Sequence, residues 1–225
     1  MIENNLCQNY NSLRAAFALM DPCPTIIAVS KKQPIESIEK LIQKGQIHFA
    51  ESYIQEAIDK ITALPTSIIW HFIGPIQSNK INKIAAYFDW VQSLDNQRHI
   101  DRLNHACQKQ NRLMNICLQV NIDQDPNKSG IQDFSSLRLL SQHIQKNCPA
   151  LQFKGIMGLT RYYPNAEQSY QSFMKLQQFH CRLEYELNCL LPVLSMGMSR
   201  DYHYAIKAGS TMVRLGRCLF PNGAR

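Results

Sequence analysis

The chain has 225 residues, of which 45% are hydrophobic and 18% are charged, and its formal net charge is +7. This length and this apolar share are sufficient for one folded core, and they argue against global disorder. No stretch approaches 18 consecutive apolar residues and no signal-peptide pattern is present, so we expect neither a membrane span nor secretion. A basic chain can attract nucleic acid, but this one has no lysine- and arginine-rich run of the kind that binds it.

The eight cysteines indicate a reducing compartment. They form no CxxC pair and no cluster with histidine at zinc spacing. Several lie in apolar runs, as Cys117 and Cys218 do, where a cysteine behaves as a small core residue. We therefore expect a cytoplasmic protein without a metal site.

Apolar runs rich in strand-forming residues alternate with segments of helical periodicity, beginning with a helix-like segment at 4–20. After the first run, Ile38 and Leu41 share one helical face and Gly45 follows as a stop signal. Eight candidate strands lie at residues 25–30, 48–52, 68–74, 89–94, 114–121, 151–159, 192–197 and 211–216. This alternation predicts an α/β fold, a closed (β/α)8 TIM-like barrel with an extra N-terminal helix. No linker divides the chain, so residues 1–225 are predicted to form one domain.

The carboxyl ends of the strands are where a barrel of this kind carries its chemistry, and phosphate sites favour the loops after strands seven and eight. The residues at these ends are Lys31, Ser52, Gly74, Asn121, Met198, Ser199, Gly216 and Arg217. A binding site is therefore expected among them.

Lys31 directly follows the first strand. At the mouth of a barrel its amine would enter a partly dry cavity, where desolvation and neighbouring cations lower the pKa of a lysine and allow it to form a Schiff base with an aldehyde. The alternative is a lysine that extends from the rim into water. Lys32 faces the opposite way along an extended strand, and the sequence alone does not say which of the two points inward.

The last two strand ends have the features of a phosphate site. Ser199 is expected at the N-terminus of a helix, where unpaired N–H groups stabilise an anion. Gly216 lets a ligand approach the backbone closely, and Arg214 and Arg217 add positive charge. Each feature alone is typical of an ordinary helix cap or a flexible glycine, but together, at strands seven and eight, they favour a phosphate site.

Seven segments extend this pattern over about residues 25–220: IIAVSK, HFAESYIQE, WHFIGPIQSNK, NKSGI, KGIMGL, LSMGMSRD and GSTMVRLG. In this order they resemble the consecutive motifs of the pyridoxal phosphate homeostasis proteins, single barrels similar to the N-terminal domain of alanine racemase. The resemblance implies the barrel of the fold-type III pyridoxal enzymes and pyridoxal 5'-phosphate as the cofactor.

The same resemblance implies roles for five residues. Lys31, and not its neighbour, would carry the cofactor as a Schiff base. Met198, Ser199 and Gly216 would hold the phosphate. Arg214 would face the pyridine nitrogen, to which a guanidinium does not pass a proton, so the cofactor would be a weaker electron sink.

Other positions of the family pattern have open roles in this chain. Ser52 replaces an asparagine that would lie beside the cofactor, and Arg217 stands where a small hydroxyl residue is common. His71 is counted among the cofactor-binding residues, and it is expected to be a hydrogen-bonded residue of the barrel rather than an acid–base catalyst. Lys80 and Lys128 are expected to be solvated, or else to help receive and transfer a phosphorylated ligand.

Three functions compete: a non-catalytic carrier that supplies pyridoxal phosphate to apo-enzymes, an amino-acid racemase, and a basic barrel that binds nucleic acid or a protein. Racemases of this fold carry a further β-domain with a catalytic tyrosine, whereas this sequence ends at Arg225, nine residues after Gly216. The arginines at the strand ends suit a small phosphate ligand better than nucleic acid. We therefore expect a monomeric, cytoplasmic cofactor carrier that is not an enzyme, with a weak racemase as the alternative.

Overall fold

The structure, a computed structural model, describes residues 2–161 and 163–220, with side chains from residue 6 onwards. The chain end at Arg225 therefore lies outside the described residues. The strands are β1 (Thr25–Val29), β2 (His48–Glu51), β3 (Ile69–Phe72), β4 (Trp90–Leu94), β5 (Met114–Asn121), β6 (Leu151–Leu159), β7 (Val193–Met198) and β8 (Met212–Leu215). The helices are α1 (Ile2–Ala18), α2 (Ile35–Gln43), α3 (Ile54–Ala63), α4 (Ile81–Tyr87), α5 (Gln97–Lys109), α6 (Phe134–Asn147), α7 (Ala166–Leu187) and α8 (Tyr202–Lys207), and a short 3-10 helix, Ser78–Lys80, precedes α4.

All eight strands are parallel and form one closed barrel. Each strand pairs with the next one in sequence, and β8 pairs with β1, where Ala28 lies opposite Leu215. The predicted (β/α)8 barrel, with α1 before the first strand, is confirmed, and the predicted strand bounds differ from the observed ones by two residues at most. No helix in the described part of the chain is long and apolar enough to cross a membrane.

Two apolar layers result from the alternation of side chains along each strand. The inner layer joins strands from around the barrel and contains Ile27, Ala50, Cys117, Met157, Val193 and Met212. The outer layer lies between the strands and the helices, and it contains Ile26 and Ala28 of β1 together with Ile38 of α2. Val29, at the end of β1, packs against the inner layer. Odd-numbered residues of β1 therefore point into the barrel, which sets the direction of the chain as it enters the loop after β1.

The helices begin and end where short-range signals allow it. The side chains of Asn96, Asp133 and Asn165 cap α5, α6 and α7 by accepting hydrogen bonds from backbone N–H groups of the first turn. Gly45 follows α2 with φ of +87°, a conformation that side chains rarely adopt, so the glycine stop signal in the sequence has a structural cause. The three N-caps lie in loops that follow strands, at the barrel mouth, whereas Gly45 lies at the opposite end of the barrel.

Candidate functional site

A cavity of about 550 Å³ lies at the carboxyl ends of β1, β7 and β8. Its volume falls within the usual range for a small-molecule site. The residues that line it are Val29, Lys31, Lys32, Gln33, Tyr53, Ile73, Met198, Ser199, Arg214, Gly216, Arg217 and Phe220. Of the residues expected to bind the cofactor, this wall contains Lys31, Met198, Ser199, Arg214 and Gly216, but not Ser52 or His71.

Lys31 lies two residues beyond the end of β1 and is exposed to the cavity. Ile27 and Val29 point inward, but Lys31 lies in the turn after β1, beyond the extended strand to which this alternation applies. Lys32 also lines the cavity, but its φ of +60° interrupts the extended chain. Both lysines therefore line the cavity, and the role of the Lys31 amine is taken up below.

The loops after β7 and β8 meet at the hydroxyl group of Ser199. Its Oγ accepts hydrogen bonds from the backbone N–H groups of Gly216, at 3.2 Å, and Cys218, at 3.3 Å. The carbonyl of Gly216 accepts from the N–H groups of Leu219 and Phe220, which closes a single turn after β8. Two backbone donors therefore converge on one point of the cavity wall, where an anion could accept them in place of the serine.

The helix after β7 begins where the sequence predicted it, but Ser199 is not its N-cap. Its first residue is Tyr202 and its N-cap is Asp201, so Ser199 precedes the helix instead of starting it. The N–H group of Met198 donates to Oδ1 of Asp201 at 2.7 Å. Burial raises the pKa of Asp201, against the opposing effect of that hydrogen bond. The donors directed at the cavity thus come mainly from the loop after β8.

Arg214 is buried at the base of the cavity and is held by three acceptors. One terminal nitrogen donates to both the carbonyl and the hydroxyl oxygen of Ser195, each at 2.8 Å, and the other donates to the carbonyl of Gly158 at 3.0 Å. Burial lowers the pKa of Arg214 to about 10, an effect that nearby Asp201 opposes. The guanidinium is therefore a fixed cation at neutral pH.

His71 lies inside the barrel, in a chain of hydrogen bonds that ends at the base of the cavity. Arg214 donates to Oγ of Ser195, which donates to Oε1 of Gln92 at 2.8 Å. Nε2 of Gln92 lies 3.0 Å from Nδ1 of His71, whose Nε2 lies 3.0 Å from Nδ1 of His48. Burial holds the pKa of His71 well below its usual value, so the ring is neutral and accepts from Gln92. The structure thus places His71 behind Arg214 and not on the cavity wall.

The end of β2 contributes Tyr53 to the wall and not Ser52. A Cβ atom on Gly74 would lie 2.1 Å from the carbonyl oxygen of Ser52, so only glycine allows the loop after β3 to pack this closely against β2. Tyr53 is half exposed. Tyr53 follows β2 by two positions, so its place near the carboxyl end of a strand was a sequence signal for this residue, although it was not among the predicted site residues.

The two lysines considered for ligand transfer lie away from this wall. Lys128 donates to the carbonyl of Thr160 and forms an ion pair with Asp125 at 3.4 Å. Lys80 is the last residue of the 3-10 helix. Neither is among the cavity-lining residues within the described ranges.

The chain is similar in sequence to a known domain family and to known proteins. The family model for the alanine racemase N-terminal domain matches residues 3–221. The pyridoxal phosphate homeostasis protein of Haemophilus influenzae is 41% identical over 204 residues, which are 89% of this chain and 84% of that protein. The corresponding protein of Pasteurella multocida is 38% identical over 231 residues, which cover all of this chain and 97% of its own.

A solved structure is similar to this chain in both fold and sequence. PipY of Synechococcus elongatus PCC7942, solved with pyridoxal phosphate bound, superposes with a TM-score of 0.86 and is 32% identical. The match covers 96% of this chain and 99% of PipY. The chain therefore belongs to the alanine racemase N-terminal domain family and to the pyridoxal phosphate homeostasis proteins.

Proposed function

We propose that this protein holds pyridoxal 5'-phosphate as a Schiff base on Lys31 and releases it to apo-enzymes, without being an enzyme itself. The main support is that the Lys31 side chain and the donors around Ser199 and Gly216 share one cavity. When bound, the cofactor supplies an aldehyde that a primary amine attacks reversibly. The relatives named for pyridoxal phosphate homeostasis, and PipY with its bound cofactor, support this choice of ligand.

The charge of the cavity wall fits a phosphorylated ligand. Lys31, Lys32, Arg214 and Arg217 all line it, and none of the described residues on the wall is a carboxylate. Four cationic side chains on one wall favour an anion, and a phosphate group binds strongly to such groups through charge-assisted hydrogen bonds. Apolar surface from Val29 offers contact for a flat ring. The residues present therefore fit the cofactor.

Each end of the ligand has separate partners in this proposal. The N–H groups of Gly216 and Cys218, together with the hydroxyl of Ser199, bind the phosphate after the serine ceases to accept from them. Met198 joins this set only if its N–H group leaves Asp201. Arg214 remains fixed by Ser195 and Gly158 and presents a positive edge to the ring. Lys31 approaches from β1, the strand next to β8 in the closed barrel.

A carrier is favoured over a racemase because the described residues of the wall include no fixed second base. Racemisation requires one group to remove a proton and another, on the opposite face, to return it. Arg214 stays protonated and therefore does not act as a base, and Ser199 serves the phosphate. The racemase alternative rests on Tyr53, a titratable side chain on the wall, which is half exposed to solvent.

Reduction with borohydride tests the proposal directly. The purified holo-protein should show the near-visible absorption band of a protonated Schiff base, and peptide mapping after reduction should find the adduct on Lys31. Lys31→Ala should abolish the band, and the matched variant Lys32→Ala should retain it. An adduct on Lys32, or a band that survives in Lys31→Ala, would show that the assignment is wrong.

Transfer is the second part of the test. The holo-protein should activate a pyridoxal-phosphate-dependent apo-enzyme when the two are mixed. We further propose that residues 1–225 act as one domain and as a monomer in the cytoplasm, and mass photometry of the holo-protein at working concentration checks the monomer.

A further inference from the structure

The turn that carries Lys31 has an unusual backbone. The N–H group of Gln33 donates to the carbonyl of Ser30 at 3.0 Å, so Ser30–Gln33 is a β-turn with Lys31 and Lys32 at its centre. Lys32 has φ of +60°, in a region that glycine or asparagine normally occupies in such turns. A lysine holds this conformation only when neighbouring groups impose it.

One neighbouring group is the buried ammonium of Lys60, on α3. Its side chain is 5% exposed, and it donates to the carbonyl of Ser30 at 2.7 Å, to Oε1 of Glu51 at 2.7 Å and to Oε1 of Glu56 at 2.6 Å. All three N–H donors of the ammonium are therefore used. A buried lysine is tolerated when it is paired in this way.

The same carboxylates also hold the turn itself. Oε1 of Glu56 accepts from the N–H group of Lys32 at 2.5 Å. Oε1 of Glu51 accepts from the hydroxyl of Ser30 at 2.7 Å. The residues immediately before and after Lys31 are thus both tied to one ion cluster, formed by Lys60, Glu51 and Glu56.

We propose that this cluster, the lysine clamp, positions Lys31 for attack on the aldehyde by fixing the backbone on both sides of it. The inference rests on the proposed function, since the clamp matters to a ligand only if Lys31 is the attacking amine. Without the clamp the turn would sample other conformations, and the apparent affinity would fall with the fraction of molecules that keep the competent one. Glu56, Glu51 and Lys60 are positioning residues in this account.

Electrostatics alone predicts that removal of Glu56 strengthens Schiff-base formation, the opposite of what the clamp predicts. Removing a carboxylate near an amine disfavours the charged form of that amine and so favours its attack on an aldehyde. The clamp predicts weaker Schiff-base formation when the acceptor at Glu56 is lost. Two variants separate charge from hydrogen bonding: Glu56→Ala removes both, whereas Glu56→Gln removes the charge and keeps a carbonyl oxygen. Glu56 suits this test because its side chain is 28% exposed, which makes a folded variant attainable.

The experiment compares these variants with Asp59→Ala, an exposed acidic position on the same helix, and with Lys31→Ala. Pyridoxal phosphate and pyridoxine phosphate, which has no aldehyde, are titrated into each apo-protein. Glu56→Ala should weaken pyridoxal phosphate by about 10-fold, equivalent to about 1.4 kcal/mol, and leave pyridoxine phosphate within about 2-fold. Glu56→Gln and Asp59→Ala should both stay within about 3-fold of the unmodified protein for either ligand.

A second readout needs no ligand. Amide hydrogen exchange of the Ser30–Gln33 turn in the apo-protein should be faster in Glu56→Ala and unchanged in Asp59→Ala. The clamp is wrong if Glu56→Ala binds pyridoxal phosphate normally, or if it weakens both ligands equally as general unfolding would. Lys31→Ala separates the two hypotheses: if it still forms a full Schiff-base adduct, the proposed function fails, and if it loses the adduct while Glu56→Ala does not, only the clamp fails.

Discussion

Gly216→Val should weaken binding of pyridoxal phosphate because it covers the backbone donors at the end of β8. A Cβ atom on Gly216 would lie 3.6 Å from Cβ and from the carbonyl oxygen of Val29, which are ordinary contacts. The first carbon therefore fits without strain. Val29 lines the cavity, so the added side chain would extend into the space that the phosphate needs. The variant should fold and bind poorly.

The magnitude follows from the two amides that converge on Ser199. A hydrogen bond to a charged acceptor contributes about 1.5–3 kcal/mol and a neutral one about 0.5–1.5 kcal/mol. Exchanging the serine for a phosphate therefore gains about 1 kcal/mol at each of Gly216 and Cys218, or about 2 kcal/mol together, which is about 30-fold in affinity. Ser199→Ala should cost less than about 10-fold, because it removes one donor and also frees the two amides from a competing acceptor.

The assay is titration of the apo-proteins with pyridoxal phosphate and with pyridoxal, which lacks the phosphate. Gly216→Val should lose affinity for the first ligand and little for the second, and Gly216→Ala, with one methyl group only, should lie between it and the unmodified protein. Equal losses for the two ligands would mean that the side chain merely fills space. Unchanged binding of pyridoxal phosphate would refute the proposed phosphate site at Gly216 and Ser199.

Three further predictions concern the core and the chemistry. Lys60→Met should lower the free energy of unfolding, measured in urea, by about 3–5 kcal/mol, because Glu51 would remain buried without a cation. Adding Glu51→Gln to this variant should recover part of the loss. A loss below about 1 kcal/mol in Lys60→Met would contradict the prediction. Burial lowers the pKa of both His48 and His71 from 6.5, so these histidines take up protons at a higher pH in the unfolded chain than in the folded one. The stability of the fold should therefore decrease as the pH drops below about 6.5, by up to about 1.4 kcal/mol per pH unit for each histidine. His71→Gln should flatten that slope in urea titrations, and an unchanged slope would exclude His71 as a source. Alanine incubated with the holo-protein in heavy water should keep its α-hydrogen, whereas exchange together with racemisation at about 1 s⁻¹ or faster, abolished by Tyr53→Phe, would establish the racemase alternative.

The barrel was predictable because its pattern is local. Each strand is a short apolar run, each helix has a periodic face, and the eightfold alternation leaves few topologies. The positions of Lys31 and Gly216 at the barrel mouth were predictable for the same reason, since a residue that follows a strand lies at the mouth wherever that strand is. The start of α8 was predictable but its N-cap was not: Ser199 and Asp201 are both good N-cap residues, and the turn after β7 places Asp201 at that position.

The lysine clamp was hidden by an ordinary pattern. Glu56 and Lys60 are four residues apart on α3, a spacing typical of an exposed ion pair. Burial of Lys60 depends on Ser30 and Glu51, which reach it from β1 and β2. The hydrogen-bond chain behind Arg214 is similar, because it joins residues of β2, β3, β4, β7 and β8 whose registers a single sequence does not contain. Non-local polar contacts of this kind require the fold first.

Barrel closure is what brings the two halves of the candidate site together. Lys31 and Gly216 are near opposite ends of the chain, and in an open sheet with the same strand order they would lie at opposite edges. Pairing of β1 with β8, with Ala28 opposite Leu215, places the turn after β1 beside the turn after β8. The amine and the backbone donors therefore reach one cavity only in the closed barrel. Pyridoxal phosphate has both an aldehyde and a phosphate, so its binding tests the amine and the backbone donors together. Pyridoxal tests the amine alone, and pyridoxine phosphate tests the backbone donors alone.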